Sequence, residues 1–184
     1  MDYYETFAPV AKLASIQTIL TIAARNDWPI YMFDFHSAFV NGQLDEDEEV
    51  FMEKPPGCEE SDPQKYCVKL YKSLCGLKQA GQKWYKIVCH TLAKLGFKKC
   101  EANQAVFYIH TGKDILILAI HVDDCRMTGS SDDFIQNYKL KIKSKYNLTD
   151  LGPIHWLLGI KITRDRENRT ISLSQSSYID SLVR

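Results

Sequence analysis

Apolar residues recur at spacings of three and four between positions 13 and 25. Leu13, Ile16, Leu20 and Ala23 share one face, which predicts an amphipathic helix that runs to Asn26-Asp27 and is stopped by Pro29. Ile30 to Phe35 is a short apolar and aromatic run, the composition of a buried strand, interrupted by one carboxylate at Asp34. After Asn41-Gly42 come five consecutive acids from Asp45 to Glu49, then Val50 to Glu53, then Pro55-Pro56-Gly57, which predict a solvated loop, a brief strand and a turn. Tyr66 to Lys72 alternates as a strand does. Lys78 to Leu95 carries Trp84, Ile87, Val88, Leu92 and Leu95 at helical spacing, with Gly96 placed to end a helix.

Two further strand-like runs, Ala105 to His110 and Ile115 to Val122, flank Thr111-Gly112-Lys113-Asp114, a hairpin turn by composition, and the second run ends in Asp123-Asp124. Ser130 or Ser131 is placed to cap a helix from Asp132 to Tyr146 with Phe134, Ile135, Tyr138, Ile142 and Tyr146 as its apolar stripe. Strands at about 155–163 and 170–173 and a short helix from Ser174 complete the order. Helices punctuate pairs of adjacent strands and do not alternate with them one by one. The expected class is therefore α+β, an antiparallel sheet with helices packed on one face.

The chain has 184 residues, 45% hydrophobic and 25% charged, which suits one globular unit and excludes a disordered or collagen-like chain. Six cysteines include no Cys-x-x-Cys pair, so reduced, mostly packed thiols are expected and a zinc site is not. The N-terminus has neither a basic nor an apolar leader segment, and Ile115 to Ile120 is too short to span a bilayer, so the chain reads as soluble and intracellular.

Lys+Arg and Asp+Glu balance at 23 each, but the charges are segregated. From Asp45 to Asp62 there are nine acids and one lysine, a net charge of minus eight; from Pro63 to Cys100 there are nine lysines and no acid, plus nine. Lysines interleaved with Tyr66, Tyr71, Trp84 and Tyr85 suit phosphate and sugar contacts, or alternatively the solvated face of an amphipathic helix. Asp123 and Asp124 repel one another unless a cation offsets them. Taken alone they describe an Asp-rich hairpin turn. Asp34, set among Met32, Phe33 and Phe35, adds a third hard oxygen donor. Strands bearing the three can lie side by side, and together they suit Mg²⁺ and nucleotidyl transfer.

At these residues the sequence resembles the reverse transcriptase domain of copia-type retrotransposons. The resemblance runs in one order along nearly the whole chain: Glu5-Thr6-Phe7-Ala8-Pro9-Val10-Ala11-Lys12, then Phe33-Asp34-Phe35-His36-Ser37-Ala38-Phe39-Val40-Asn41-Gly42, then Ser73-Leu74-Cys75-Gly76-Leu77-Lys78-Gln79-Ala80 with Trp84-Tyr85. His121-Val122-Asp123-Asp124 and Asp150-Leu151-Gly152 with Leu158-Gly159-Ile160 follow. It implies a partial domain over residues 1–184, the palm of a right-hand polymerase with part of the fingers, fingers and thumb being incomplete.

By the same resemblance Asp34, Asp123 and Asp124 are the catalytic carboxylates. With the backbone of Phe35 they hold two Mg²⁺ ions, or Mn²⁺ in their place. Phe35, Ser37 and Ala38 lie along the triphosphate, Phe39 crowds the sugar 2′ carbon, and Gln79 lies near the nascent base pair. Leu158-Gly159-Ile160 corresponds to the hairpin that aligns the primer end. The implied partners are an RNA template, a DNA or tRNA primer, dNTPs and the rest of a Pol polyprotein with its integrase and ribonuclease H, without a membrane. The implied location is a cytoplasmic virus-like particle, or the nucleus. His121 stands where the family usually has Tyr, Gly81-Gln82 where it has Pro-Arg, and His36 where Lys is common. Two other readings stand beside this one: a truncated, inactive remnant or co-opted nucleic-acid-binding module, and an unrelated metal-dependent nuclease.

Overall fold

The run Ile30–Phe35 does not alternate: Ile30, Met32, Phe33 and Phe35 are all buried, so this strand needs cover on both faces. That requirement organises the larger of two compact units into which the computed structural model divides. Residues 6–57 and 66–183 are described. The larger unit comprises 9–36 and 92–184, the smaller 1–8 and 37–91. Glu5 of the opening motif, Cys58, three of the acids (Glu59, Glu60, Asp62), Lys65 and Arg184 lie outside the described residues.

In the larger unit a six-stranded, wholly antiparallel sheet has Ile30–Phe35 (β1) as its second strand from one edge. Its other members are Lys98–Lys99 (β4), Val106–His110 (β5), Ile115–His121 (β6), Asp124–Gly129 (β7) and Leu148–Pro153 (β8), in the order β4-β5-β6-β7-β1-β8. The helix Leu13–Arg25 (α1) buries Ile16, Ile19, Leu20 and Ala23 against Ile30, Met32 and Ala119. The helix Asp132–Lys143 (α3) lies on the opposite face. The Tyr31 hydroxyl donates to Asp132 Oδ1 at 2.7 Å, and Lys139 sits over the Tyr31 ring at 4.6 Å. Tyr146, just beyond α3, meets Phe35 edge-on at 5.3 Å. Successive side chains of a strand point to opposite faces, so α1 and α3 cover different sides of β1. The expectation of helices on one face is thus corrected, and the cause is the unbroken apolar character of β1.

Ser131, not Ser130, caps α3, accepting from Phe134 N at 3.3 Å; Asp132 and Asp133 in the first turn and Lys141 and Lys143 in the last complement the helix dipole. The helix ends at Lys143, three residues earlier than its apolar stripe suggested. The strand expected at 155–163 is broken: Trp156–Leu157 (β9) and Ile160–Asp165 (β10) form a hairpin through Leu158 and Gly159, both at positive φ (48° and 80°). Paired positive φ at the two central residues is the turn that suits a two-residue hairpin. Thr170–Ser174 (β11) completes this three-stranded sheet, and Ser176–Val183 (α4) follows with no buried residue.

In the smaller unit Val50–Met52 (β2) pairs antiparallel with Val68–Leu70 (β3). The helix Ala80–Lys94 (α2), which carries the chain into the larger unit, buries Trp84 and Val88 as its spacing predicted. Gly42 lies where the backbone is crowded. A Cβ there would stand 2.6 Å from Ser73 Oγ and 3.2 Å from the Phe39 carbonyl oxygen, so the Asn41-Gly42 turn requires glycine for space. Among the described residues no helix is long and apolar enough to cross a membrane.

Candidate active site

The antiparallel register of β1 with β7 sets Asp34 directly opposite Asp124. Side chains so opposed share a face, with Cβ atoms about 5 Å apart. Asp124 also faces His121 across the β6–β7 pair, and the turn between them consists of Val122 and Asp123 alone. Val122 takes a φ of +64°, a region that disfavours β-branched residues. That conformation lets the chain reverse in two residues, so that Asp123 stands exposed at the tip while Asp124 begins the next strand. The turn is fixed to β1 by Phe35 N, which donates to the Asp123 carbonyl oxygen at 3.0 Å, and Asp124 N donates to Asp123 Oδ1 at 3.1 Å. Three carboxylates and the backbone of Phe35 therefore meet at one end of the sheet, although Asp34 and Asp123 are 89 positions apart.

The electrostatics of this edge follow from the crowding. Partial burial raises the Asp34 carboxyl above the usual carboxylate range, and the charges of Asp123 and then Asp124 raise it further, against a smaller opposing effect of His36. Cys125, wholly buried between Asp124 and Arg126 in sequence, is pushed well up, chiefly by burial, and is a packed thiol. His36, next to the edge, contacts the Thr149 hydroxyl through Nε2, and its backbone N donates to the Asn147 carbonyl oxygen at 3.0 Å.

The donor set suits a hard divalent cation: the side-chain ligands on offer are carboxylate oxygens, and their mutual repulsion is relieved by positive charge. Among the described residues no group of three His, Cys, Asp or Glu side chains is placed to hold a metal ion by itself. Magnesium commonly completes its shell with water and substrate phosphate, for which a full protein cage is unnecessary.

One charged residue of this edge was missed by the sequence reading. Arg126 lies two residues beyond Asp124, on the same sheet face, and its Nη2 donates to Asp124 Oδ2 at 3.2 Å while the side chain is 3% exposed. Its signal in the sequence is the i, i+2 spacing of Asp124 and Arg126, which within a strand places both on one face.

Ser37, Ala38, Phe39 and Gln79 all belong to the smaller unit. Ser37 has a left-handed φ of 51° and precedes a single 3-10 turn, Ala38–Asn41. Ala38 is buried and Phe39 half-buried, and the Phe39 carbonyl oxygen accepts from the Ser73 hydroxyl. Gln79 is buried and donates to Glu48 Oε1 at 2.8 Å. The charge segregation is resolved in part within this unit. Lys83 binds Asp45 and, at 2.6 Å, Glu48; Lys69 binds Glu49 at 2.7 Å. Lys83 of α2 and Lys69 of β3 thus neutralise the acidic loop at these positions, a role distinct from both phosphate contact and a solvated helix face. Lys78, Lys86 and Lys94 remain exposed.

The class defined by these features is an α+β domain with a carboxylate edge formed by a strand and a neighbouring hairpin of an antiparallel sheet. The chain belongs to the reverse transcriptase (RNA-dependent DNA polymerase) family, whose sequence profile matches residues 1–184. It is 35% identical over 183 residues to the retrovirus-related Pol polyprotein from transposon RE1 of Arabidopsis thaliana, covering 100% of this chain and 12% of that protein. It is likewise 35% identical over 184 residues to the corresponding polyprotein from transposon TNT 1-94 of Nicotiana tabacum, covering 100% of this chain and 14% of that one. The Gag-Pol polyprotein of transposon Ty1-BR of Saccharomyces cerevisiae is 29% identical over 162 residues, 83% of this chain and 9% of its own length. The chain therefore spans about an eighth of the first two relatives. No solved structure matches it significantly.

Proposed function

We propose that this chain is the palm, with part of the fingers, of an RNA-directed DNA polymerase that extends a primer 3′-hydroxyl with dNTPs on an RNA template. The observation that carries the proposal is the opposition of Asp34 and Asp124 across β1 and β7, with Asp123 at the adjoining turn. In this reading Asp34, Asp123 and Asp124, joined by the Phe35 backbone, would hold two magnesium ions. Bound there, magnesium or manganese supplies the charge that favours ionisation of the attacking hydroxyl and departure of pyrophosphate.

The chain's own residues do the rest. The strained Val122 turn and the Phe35–Asp123 backbone bond hold the carboxylates in place before substrate arrives, which reduces reorganisation during the reaction. The family resemblance assigns Phe35, Ser37 and Ala38 to the triphosphate, Phe39 to exclusion of a ribose 2′-hydroxyl by its bulk, and Gln79 to the nascent base pair. The Leu158-Gly159 turn supports the primer end. The wider protein is a Pol polyprotein with integrase and ribonuclease H, acting in a virus-like particle on RNA with a DNA or tRNA primer.

The test is primer extension on an RNA template by the full-length protein containing this chain, with Mg²⁺ or Mn²⁺. Templated elongation is expected, and Asp124→Asn should reduce it by about 10³-fold or more, the scale on which loss of transition-state charge stabilisation acts. Strand degradation would favour a nuclease instead, and neither product would favour an inactive remnant.

A further inference from the structure

Arg126 is 4% exposed, and a guanidinium buried to that degree normally has its five N–H donors satisfied. Here Nη2 reaches Asp124 Oδ2 at 3.2 Å, while Nε and Nη1 are buried without a hydrogen-bond partner. The strand neighbours offer none: Arg126 is opposed by Met32 on β1 and by Ala119 on β6. A buried charge with one ion pair and two unpartnered nitrogens does not stabilise its own surroundings well. What favours it is the negative charge of the edge, where Asp34, Asp123 and Asp124 crowd together.

We infer that Arg126 is a positioning residue serving as a resident counter-cation of the carboxylate edge, holding Asp124 in the metal-free protein and thereby weakening divalent-ion binding there. The inference rests on the reading of these acids as a metal site. Of the three negative charges one is balanced from within, and one oxygen of Asp124 is already engaged. An arriving dication meets a smaller net charge and a like charge close by, so it binds less tightly than three free carboxylates would allow.

Manganese binding to the EDTA-stripped chain, followed by the electron paramagnetic resonance signal of free Mn²⁺, tests this. Arg126→Met, close in volume and uncharged, should bind Mn²⁺ about tenfold more tightly than the wild type. That change corresponds to 1.4 kcal/mol, near the lower end for a hydrogen bond to a charged group. Asp34→Asn added to Arg126→Met should remove the gain. Equal or weaker binding by Arg126→Met overturns the inference; if Asp34→Asn still lowers affinity, the metal-site reading survives that failure. Binding indifferent to Asp34→Asn in both backgrounds overturns the metal-site reading, and the inference with it. If Arg126→Met does not fold, Arg126→Gln decides, because it removes the charge and keeps a side chain able to hydrogen-bond. Tighter Mn²⁺ binding then supports the inference, and unchanged or weaker binding overturns it. A purely structural role for Arg126 gives no reason for affinity to rise when it is removed.

Discussion

Among the buried basic side chains, Lys83 of the smaller unit and Arg126 of the larger are treated in opposite ways. Lys83, with 9% of its side chain exposed, is held by Asp45 and Glu48, and Glu48 is further held by Gln79. Burial works against the charges of Lys83 and Glu48, yet the bonds between them prevail, so Lys83 is held above the usual lysine range and Glu48 below the usual carboxylate range. Arg126, with 3% exposed, has one bond to a carboxylate that is itself 37% exposed, and two nitrogens unpartnered. The first cluster is a satisfied network that fastens a loop to a helix. The second is unfinished, at the edge where the acids meet. Satisfied polar clusters specify structure, whereas under-satisfied ones mark where a fold has been set against its own stability.

The largest expected effect tests the first half of this contrast. Lys83→Met leaves Glu48, with 14% of its side chain exposed, held by Gln79 but without a countercharge, and should cost about 3 kcal/mol in urea unfolding, whereas Arg126→Met, whose partner is open to solvent, should change stability by under about 1 kcal/mol. Equal losses would abolish the distinction. Gly42→Ala comes next. Its Cβ would collide with Ser73 Oγ and crowd Lys83 Cβ at 3.1 Å, so a loss of about 2 kcal/mol is expected, measured the same way.

In the other unit Val122→Gly should move stability in the opposite direction. Removing a β-branched side chain from a φ of +64° should raise stability by about 1 kcal/mol, offset in part by the greater freedom of glycine when unfolded. A loss would show that Val122 packing outweighs its backbone strain.

The smallest effect is the pH profile, where the clusters should differ in sign. Asp34 holds its proton more tightly when folded, so its contribution to stability falls as pH rises from the ordinary carboxylate range through its raised value. Asp45 and Glu48, held low, contribute above the ordinary range and lose that contribution as pH falls through their depressed values. Melting curves of Asp34→Asn and wild type across the acidic range should therefore diverge in favour of the variant as pH rises.

Most elements were legible because their signals are local. The apolar stripe of α1, the Ser131 cap of α3, the glycine ending α2 and the β5–β6 hairpin each depend on residues a few positions apart. The strands given no range by the sequence were β4, β7 and β8; of these β8, Leu148-Thr-Asp-Leu-Gly-Pro, carries Asp, Gly and Pro and has no clean alternation. It is an edge strand, where such residues are tolerated, and at Leu151 its register with β1 slips by one residue. The two-sided cover of β1 was available from its composition and was not drawn from it.

For the site, sequence alone determined which carboxylates exist, that Asp123 and Asp124 follow an apolar strand, and which family's motifs they resemble, because these are facts of residue type and order. Only the tertiary structure decided that Asp34 stands opposite Asp124, that Lys83 is consumed by its own unit's acids, and that Arg126 lies buried beside the carboxylate edge. Register and burial arise from pairings between segments far apart in the chain, and the energy of a charge depends on what those pairings bring within a few ångströms of it.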